Sequence, residues 1–433
     1  MRTIIGVLLL FMFSTTSIAE DWPQWRGPRR DGSWKEEGLV TEFTTNKIPH
    51  LWRQPIGAGY SGPTVSNGRV FVMDRLTEPV ELERVHCFDA QSGDVLWKFE
   101  YPCAYTISYT AGPRASVTVD GDRCYALGAM GHLHCLDAAS GQRIWQQDLD
   151  QRYHLQDHKR MPIWGIAASP LIHSDLVIVL TGADEGASVV AFDKATGEEQ
   201  WKSLNDRGQY SSPITIRQQE RDVVVCWTGD AVNGLEPATG KTLWRVAMPV
   251  SRMPIGVATP IVNNNRLFVT SFYDGSMLVQ LAENDADAER LWHEVGPSER
   301  ETKALHSIIS TPVFLKDHIY GVDSYGELRC IAASDGQRIW EDQAAVPKSR
   351  WSTIHFVTNG DRVWMFNERG ELIIATLDPD GYHEISRATL IEPTEEQLRQ
   401  RNGVCWSHPA FANRRVYARN DREIVCADLA AKP

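Results

Sequence analysis

The feature that most constrains this chain is a tryptophan that returns every 43 to 56 residues, at positions 52, 97, 145, 201, 244, 292 and 340. Each of the later six ends a similar string. HCFDAQSGDVLW (86–97) is echoed by HCLDAASGQRIW (134–145), VAFDKATGEEQW (190–201) and NGLEPATGKTLW (233–244). Degenerate copies follow as LAENDADAERLW (281–292), RCIAASDGQRIW (329–340) and a worn IATLDPDGYHEI (374–385). A period of this size marks a solenoid or a propeller. One such unit cannot bury its own apolar face and must stack on neighbours.

A second signal lies inside each period. A small residue and a proline open a strand in SGPTV (61–65), AGPRA (111–115), ASPLI (168–172), SSPIT (211–215), ATPIV (258–262), STPVF (310–314) and SHPAF (407–411), while STIHF (352–356) has lost its proline. That makes eight units. Each reads as four short strands divided by Gly, Asn, Ser and Asp turns, in the first unit near 64–65, 69–73, 84–89 and 95–100. Helical periodicity is expected only in the 390s. The fold class is therefore all-β, an eight-bladed β-propeller of four-stranded antiparallel blades. The last unit stops at VCADLA (425–430), before its tryptophan strand, and an orphan strand HLWRQP (50–55) precedes the first unit. The N-terminal strand is expected to close the ring and remove the bare sheet edges.

The chain divides into a signal peptide at 1–19, an N-terminal extension at 20–49 and a single propeller at 50–433. Arg2, the apolar run 4–13 and the small-residue site Ser17-Ile18-Ala19 form an export signal, and the run is too short to span a bilayer. A periplasmic or extracellular monomer without a transmembrane span is expected. Lys and Arg number 44 against 56 Asp and Glu, a net charge of −12, which argues against a nucleic-acid partner.

The eight cysteines (87, 103, 124, 135, 226, 330, 405 and 426) contain no Cys-x-x-Cys, so no metal site is read from them. Cys87, Cys135, Cys330 and Cys426 share one repeat position with Ala191 and Gly234, a slot that selects small size. Cys124 and Cys135 flank the 128–131 turn, and a cross-strand disulfide is open to them. His154 and His158 stand at i, i+4 and would share a face if that loop were helical. His132 and His134 alternate along a strand. No Gly-x-Ser-x-Gly elbow occurs, and no catalytic residue is assigned.

The Asp-Ala-x-Ser/Thr-Gly-x-x-x-Trp copies resemble the repeats of the pyrroloquinoline-quinone (PQQ) family, which includes eight-bladed quinoprotein dehydrogenases and the BamB-like assembly lipoproteins. The segment DWPQWRGPRRDGSW (21–34) resembles the opening of exported PQQ-repeat proteins. The resemblance covers essentially everything after residue 19 and implies two functions. One is a non-catalytic binding or scaffold protein of the cell envelope, with no cofactor and with a protein or a small flat or anionic ligand as partner. The other is a PQQ-dependent dehydrogenase oxidising an alcohol or sugar. Enzymes of the family stack PQQ on Trp, often beside a disulfide of adjacent Cys, with Ca²⁺ and an Asp base. This chain has no adjacent Cys pair, and no Asp or Glu matches the base or the calcium ligands. It also lacks a Cys after Ala19 for a lipid anchor. The first reading is preferred. A sugar-binding propeller is a third, lacking the carboxylate pair of a glycosidase.

In such a blade the turns within strand pairs share one rim, and the blade-to-blade links share the other. The first rim is tight (SNG, DGD, NNN, QSGD). The links are long: 25 residues separate Trp145 from Pro170, and 24 separate Ile385 from Pro409. Insertions confined to one face mark a binding face. The links place Tyr60, Tyr109, Trp164, Tyr210, His306, Trp351 and Trp406 just before the inner strands, with Arg160, Arg207, Arg252, Arg350 and Arg401 beside them. Gathered around a channel, these would form a cationic aromatic funnel for a flat or anionic ligand. The alternative is that the aromatics wedge the blades and the arginines pair with acidic neighbours. The repeated Trp52, Trp97, Trp145, Trp201, Trp244, Trp292 and Trp340 are read as packing between blades.

Overall fold

A computed structural model describes residues 20–432, so the proposed signal at 1–19 lies outside the described residues. Eight four-stranded antiparallel sheets follow one another around a ring. The first blade runs in chain order through β2 (Thr64–Ser66), β3 (Arg69–Leu76), β4 (Leu82–Asp89) and β5 (Val95–Pro102). β3 and β4 are buried along their length apart from their ends, because neighbouring blades cover both of their faces. β5 is the outer strand and alternates: Trp97 and Tyr101 are buried, while Leu96 and Lys98 are exposed. The ring closes through β1 (His50–Pro55). It pairs with Glu423–Asp428 and completes the eighth blade with Ala410–Ala412 and Arg415–Arg419.

The repeated tryptophans form the seams. Trp52 Nε1 donates to the Ala90 carbonyl at 3.1 Å, Trp97 to Ala138 at 3.1 Å, Trp145 to Lys194 at 3.1 Å and Trp201 to Pro237 at 2.9 Å. Each acceptor lies in the outer turn of the next blade. In that turn Asp89 accepts from the amides of Gln91 and Ser92, and Gly93 has φ +79°. A Cβ at Gly93 would stand 2.6 Å from the Trp52 ring, so glycine is required by conformation and by space.

Blade five departs from the pattern. Its Trp292 faces Leu278 in register, fourteen positions back, whereas Trp97, Trp145, Trp201 and Trp244 face Cys87, Cys135, Ala191 and Gly234, ten back. The small-residue slot therefore holds leucine there. Across this seam Trp244 donates to Gln218 Oε1 at 2.9 Å, and Gln218 Nε2 donates on to the Asp287 carbonyl at 2.8 Å.

Three local expectations are corrected. The inner strand of the second blade opens at Thr118, behind Ser116-Val117, so Pro113 of AGPRA lies back in the link. The 390s hold no α-helix: Thr394 and Val404 form a β-bridge and only a 3₁₀ turn, Gln400–Asn402, follows. The α-helix α1 is Leu149–Tyr153, capped by Asp148. Cys124 faces Leu136 in register and Cys135 faces Tyr125, which puts the two thiols on opposite faces of the sheet. All eight cysteines are buried and free.

The extension does not stand apart from the propeller. It crosses the tight-turn face as a strap. Trp22 bridges Val65 of blade one, and Trp34 donates its amide to Thr358 of blade seven. Val40 then reaches Leu429 and Ile48 reaches Thr389 before the chain enters β1. Trp22 and Trp34 are each 1% exposed, 5.9 Å and 5.0 Å from the Phe411 ring, and Trp34 meets Trp364 at 5.7 Å. Burial of each indole contributes on the order of 3 kcal/mol.

Candidate functional site

The residues ahead of the inner strands build the channel wall. Their hydroxyls stitch one blade to the next: Ser169 Oγ accepts from the Ser116 amide at 3.0 Å, Ser212 Oγ from the Ser169 amide at 2.9 Å, and Thr311 Oγ1 from the Thr259 amide at 3.0 Å. The eighth unit breaks the pattern with His408, which fits because the facing position is Gly62. A Cβ there would lie 2.4 Å from the imidazole. From below, the strap inserts Trp25, whose Nε1 donates to Thr259 Oγ1 at 2.7 Å and whose ring meets His408 edge-on at 4.5 Å. Trp25, His355 and His408 floor a recess of about 910 Å³, counted to its open mouth.

Six of the seven expected link aromatics line this recess: Tyr60, Tyr109, Trp164, Tyr210, Trp351 and Trp406. Tyr109 lies at their centre, 5.5 Å from Trp164, 5.6 Å from Trp351 and 6.0 Å from Trp406. These partners come from links on opposite sides of the ring. Trp164 and Tyr210 stack at 5.0 Å with 28° between planes. Tyr109 and Trp351 both adopt left-handed backbone, φ +61° and +69°, an uncommon conformation for a bulky residue. Strain of this kind concentrates at binding sites. Trp351 Nε1 is buried without an acceptor, an orphan donor beside the recess.

His306 is not part of it. Its amide donates to Asp323 Oδ1, Nδ1 donates to the Phe272 carbonyl, and Nε2 accepts from the Gly296 amide. The ring is locked in the seam between blades five and six, and burial pushes its pKa down. Ile308 and Ile309 take its place on the wall.

The five expected arginines also lie outside the recess. Arg160 is bound to Asp184 at 2.6 Å and Arg207 to Asp230 at 2.6 Å. Arg350 forks onto Glu299 with two bonds of 2.9 Å, and Arg401 reaches Glu368 at 2.8 Å. Arg252 stands exposed, 5.1 Å from the Tyr273 ring. The cationic funnel is thus mostly neutralised by local acids.

The cation that does line the recess is Arg114, from the AGPRA string. It donates to the carbonyls of Tyr109 at 2.6 Å and Ser108 at 3.2 Å, and its guanidinium sits 5.0 Å from the Tyr60 ring. Among the described residues no carboxylate pairs with it, and burial lowers its pKa below the ordinary arginine value. Burial also lowers His355 to about 4 and His408 to about 3, so both floor imidazoles are neutral. His408 Nε2 then accepts from Ser116 Oγ at 2.6 Å. Sequence reading did not single out His408, Trp25 or Arg114: His408 and Arg114 lie in the proline-strand strings, Trp25 lies in the extension, and nothing in the sequence said that they meet.

The other histidine expectations are simpler. His154 caps the end of α1 with φ +51°, so 154–158 is a turn, and its ring lies 5.7 Å from that of His158. Each faces an aspartate, Asp157 and Asp184. No cluster of three or more metal-ligating side chains occurs among the described residues. His132 and His134 stack at 6.4 Å on one strand face.

A quinone held with Ca²⁺ needs oxygen anions for the ion and a carboxylate base. The lining of the recess includes no Asp or Glu. Glu368, which lies 3.4 Å from Trp406 Nε1, is held by Arg401, and burial raises its pKa. These residues suit an aromatic anion but not a calcium–quinone centre.

Blade number, blade architecture and the recurrent Trp seams, most of them with a turn-capping acid and Gly, define a propeller of the PQQ-repeat class. A family model described as outer membrane protein assembly factor BamB matches residues 81–342 and 301–432, and the chain belongs to that family. Its fold is similar to BamB from Moraxella catarrhalis, with TM-score 0.58, 17% identity, and coverage of 89% of this chain and 99% of that one. It is also similar to quinohemoprotein alcohol dehydrogenase from Comamonas testosteroni, with TM-score 0.62, 13% identity, and coverage of 95% and 81%. A europium-containing methanol dehydrogenase aligns with TM-score 0.58, 12% identity, and coverage of 93% and 90%. At these identities the likeness is one of fold. No curated protein matches the chain in sequence.

Proposed function

We propose that this chain is a non-catalytic binding propeller of the cell envelope, whose recess takes a flat aromatic anion. The observation that carries this is the pairing of six converging aromatic rings with one uncompensated guanidinium in a wall free of carboxylates. Rings stack on a flat ligand, Arg114 neutralises its charge, and Trp351 Nε1 supplies a donor. The wall offers no carboxylate to act as base or to hold a divalent ion, and its two imidazoles are depressed by burial, which favours binding over oxidation. Export rests on the N-terminal signal pattern, and an envelope role agrees with the family description.

PQQ is a suitable probe, being flat, aromatic and tricarboxylic. Calorimetric titration of the purified protein should show binding at micromolar Kd that Ca²⁺ leaves unchanged. Arg114→Met and Trp164→Ala should each weaken it at least tenfold, about 1.4 kcal/mol or more. Dye-linked alcohol oxidation that requires both PQQ and Ca²⁺ would overturn the reading in favour of a dehydrogenase. Absence of any heat would leave the long-link rim as a protein-docking scaffold.

A further inference from the structure

The strap buries two more arginines, at the other end of the channel. Arg26 and Arg30 are 7% and 4% exposed. Arg30 is spent on neutral acceptors: Nη1 donates to the Pro170 carbonyl at 2.7 Å and to Gln24 Oε1 at 3.2 Å, and Nη2 to the Ser169 carbonyl at 2.9 Å. Arg26 makes one hydrogen bond, from Nη2 to the Asp31 carbonyl at 2.7 Å. The Nε of both is buried without a partner. Among the described residues neither guanidinium forms an ion pair. The Asp31 carboxylate accepts from the amide and hydroxyl of Ser33 and lies 3.7 Å from Arg29 Nε, and Arg29 itself is paired with Glu20. Burial pushes Arg26 down to about 10 and Arg30 to about 9.

These groups face a cleft of about 240 Å³, bounded on one side by the strap, including Arg29, the exposed Asp31 and Ser33, and on the other by inner-strand residues of blades four to six, among them Thr215. It is distinct in position and chemistry from the aromatic recess, since it contains arginines and a hydroxyl-bearing wall but none of the six rings. Two buried cations without an ion pair, with Asp31 acting on Arg26 only at longer range, are costly unless an anion joins them.

We infer that this cavity is an oxyanion site, built by the Trp-Arg-Gly-Pro-Arg-Arg segment (25–30) to take a phosphate or sulfate group. The anion supplies the missing charge and accepts from Arg26. Its binding locks the strap against the channel and couples ligand to stability.

The test is thermal melting of the purified protein in phosphate against chloride at matched ionic strength, with calorimetric titration of inorganic phosphate. At ten times Kd, phosphate should raise the melting temperature by about 2 °C. Arg26→Met should abolish the rise. Because that variant risks misfolding, Thr215→Glu places a carboxylate on the cavity wall and should abolish the rise in a protein with unchanged far-UV circular dichroism. Arg207→Gln, at the other mouth, should retain it. Glycerol phosphate separates a free oxyanion from an ester: a response to both identifies an ester-tolerant site, and a response to inorganic phosphate alone a closed one. Equal melting in phosphate and chloride, or a phosphate response that survives in Thr215→Glu, would overturn the inference. Failure of PQQ to bind would not touch it, since the two sites share no lining residue.

Discussion

The two mouths of the channel handle charge in opposite ways. At the long-link mouth, Arg160, Arg207, Arg350 and Arg401 each hold an acidic neighbour, and the space they frame is aromatic. At the tight-turn mouth a strap carries Arg26 and Arg30 inward, and neither forms an ion pair among the described residues. These long-link arginines meet acids from neighbouring segments, three of them from turns inside the blades and one from an adjacent link. At the tight turns the covering groups come from the N-terminal extension. One mouth is therefore aromatic and framed by ion pairs, and the other is covered by a strap that carries unpaired arginines.

Substitutions can break this contrast. The largest effect is expected from Trp34→Ala, which removes a fully buried indole pinning the strap to Trp364 and Phe411 and should cost about 3–5 kcal/mol in denaturant unfolding. Trp164→Ala at the open mouth should cost less than about 1 kcal/mol, because its ring is only half-buried, while losing ligand. If the two cost the same, the mouths are not different in kind.

Acid probes the floor between them. His355 and His408 are held neutral in the fold, at about 4 and about 3, whereas the unfolded chain binds protons near 6.5. The unfolded state then carries more protons between those values, so stability falls as pH drops below 6.5. By pH 5 each should contribute a loss of about 2 kcal/mol. His408→Asn should flatten the pH dependence of the melting temperature; an unchanged slope would show that His408 is protonated in the fold. A smaller loss, about 1–3 kcal/mol, is expected for Gly62→Ala, which drives a methyl into the His408 ring. The smallest concerns Arg350→Gln. Its half-exposed fork to Glu299 should contribute less than about 1 kcal/mol, and recess binding should be unchanged in titration.

Much of the fold was legible because its information is local. In the regular blades the acid, Gly and Trp of the outer turn lie within a dozen residues, and they cap the turn, permit its positive φ and seal the next seam. The closure by β1 was legible for the same reason, since a missing strand at one end and a spare one at the other are both countable. Blade five shows the limit. Four extra turn residues put Leu278, not Ala282, opposite Trp292, and string alignment could not see the shift. The aromatic half of the site followed from its regular place before each inner strand.

The charges did not follow. Glu299 pairs with Arg350 across 51 residues and Glu368 with Arg401 across 33, and sequence carries no sign of which acid an arginine will meet. His306 shared the aromatics' position but was drawn into a seam by Asp323 and two backbone groups.

Repetition thus specified the eight blades and the tryptophan seams, because those contacts are made by short strings that recur, and the closure followed because a missing strand and a spare one can be counted. The recess, the paired rim and the two buried arginines of the strap came from three-dimensional convergence. Trp25 reaches Thr259 across 234 residues and Arg30 reaches Pro170 across 140. Around a ring, residues become neighbours through the closure of the whole circle and the left-handed turns at Tyr109 and Trp351, and no local pattern records either.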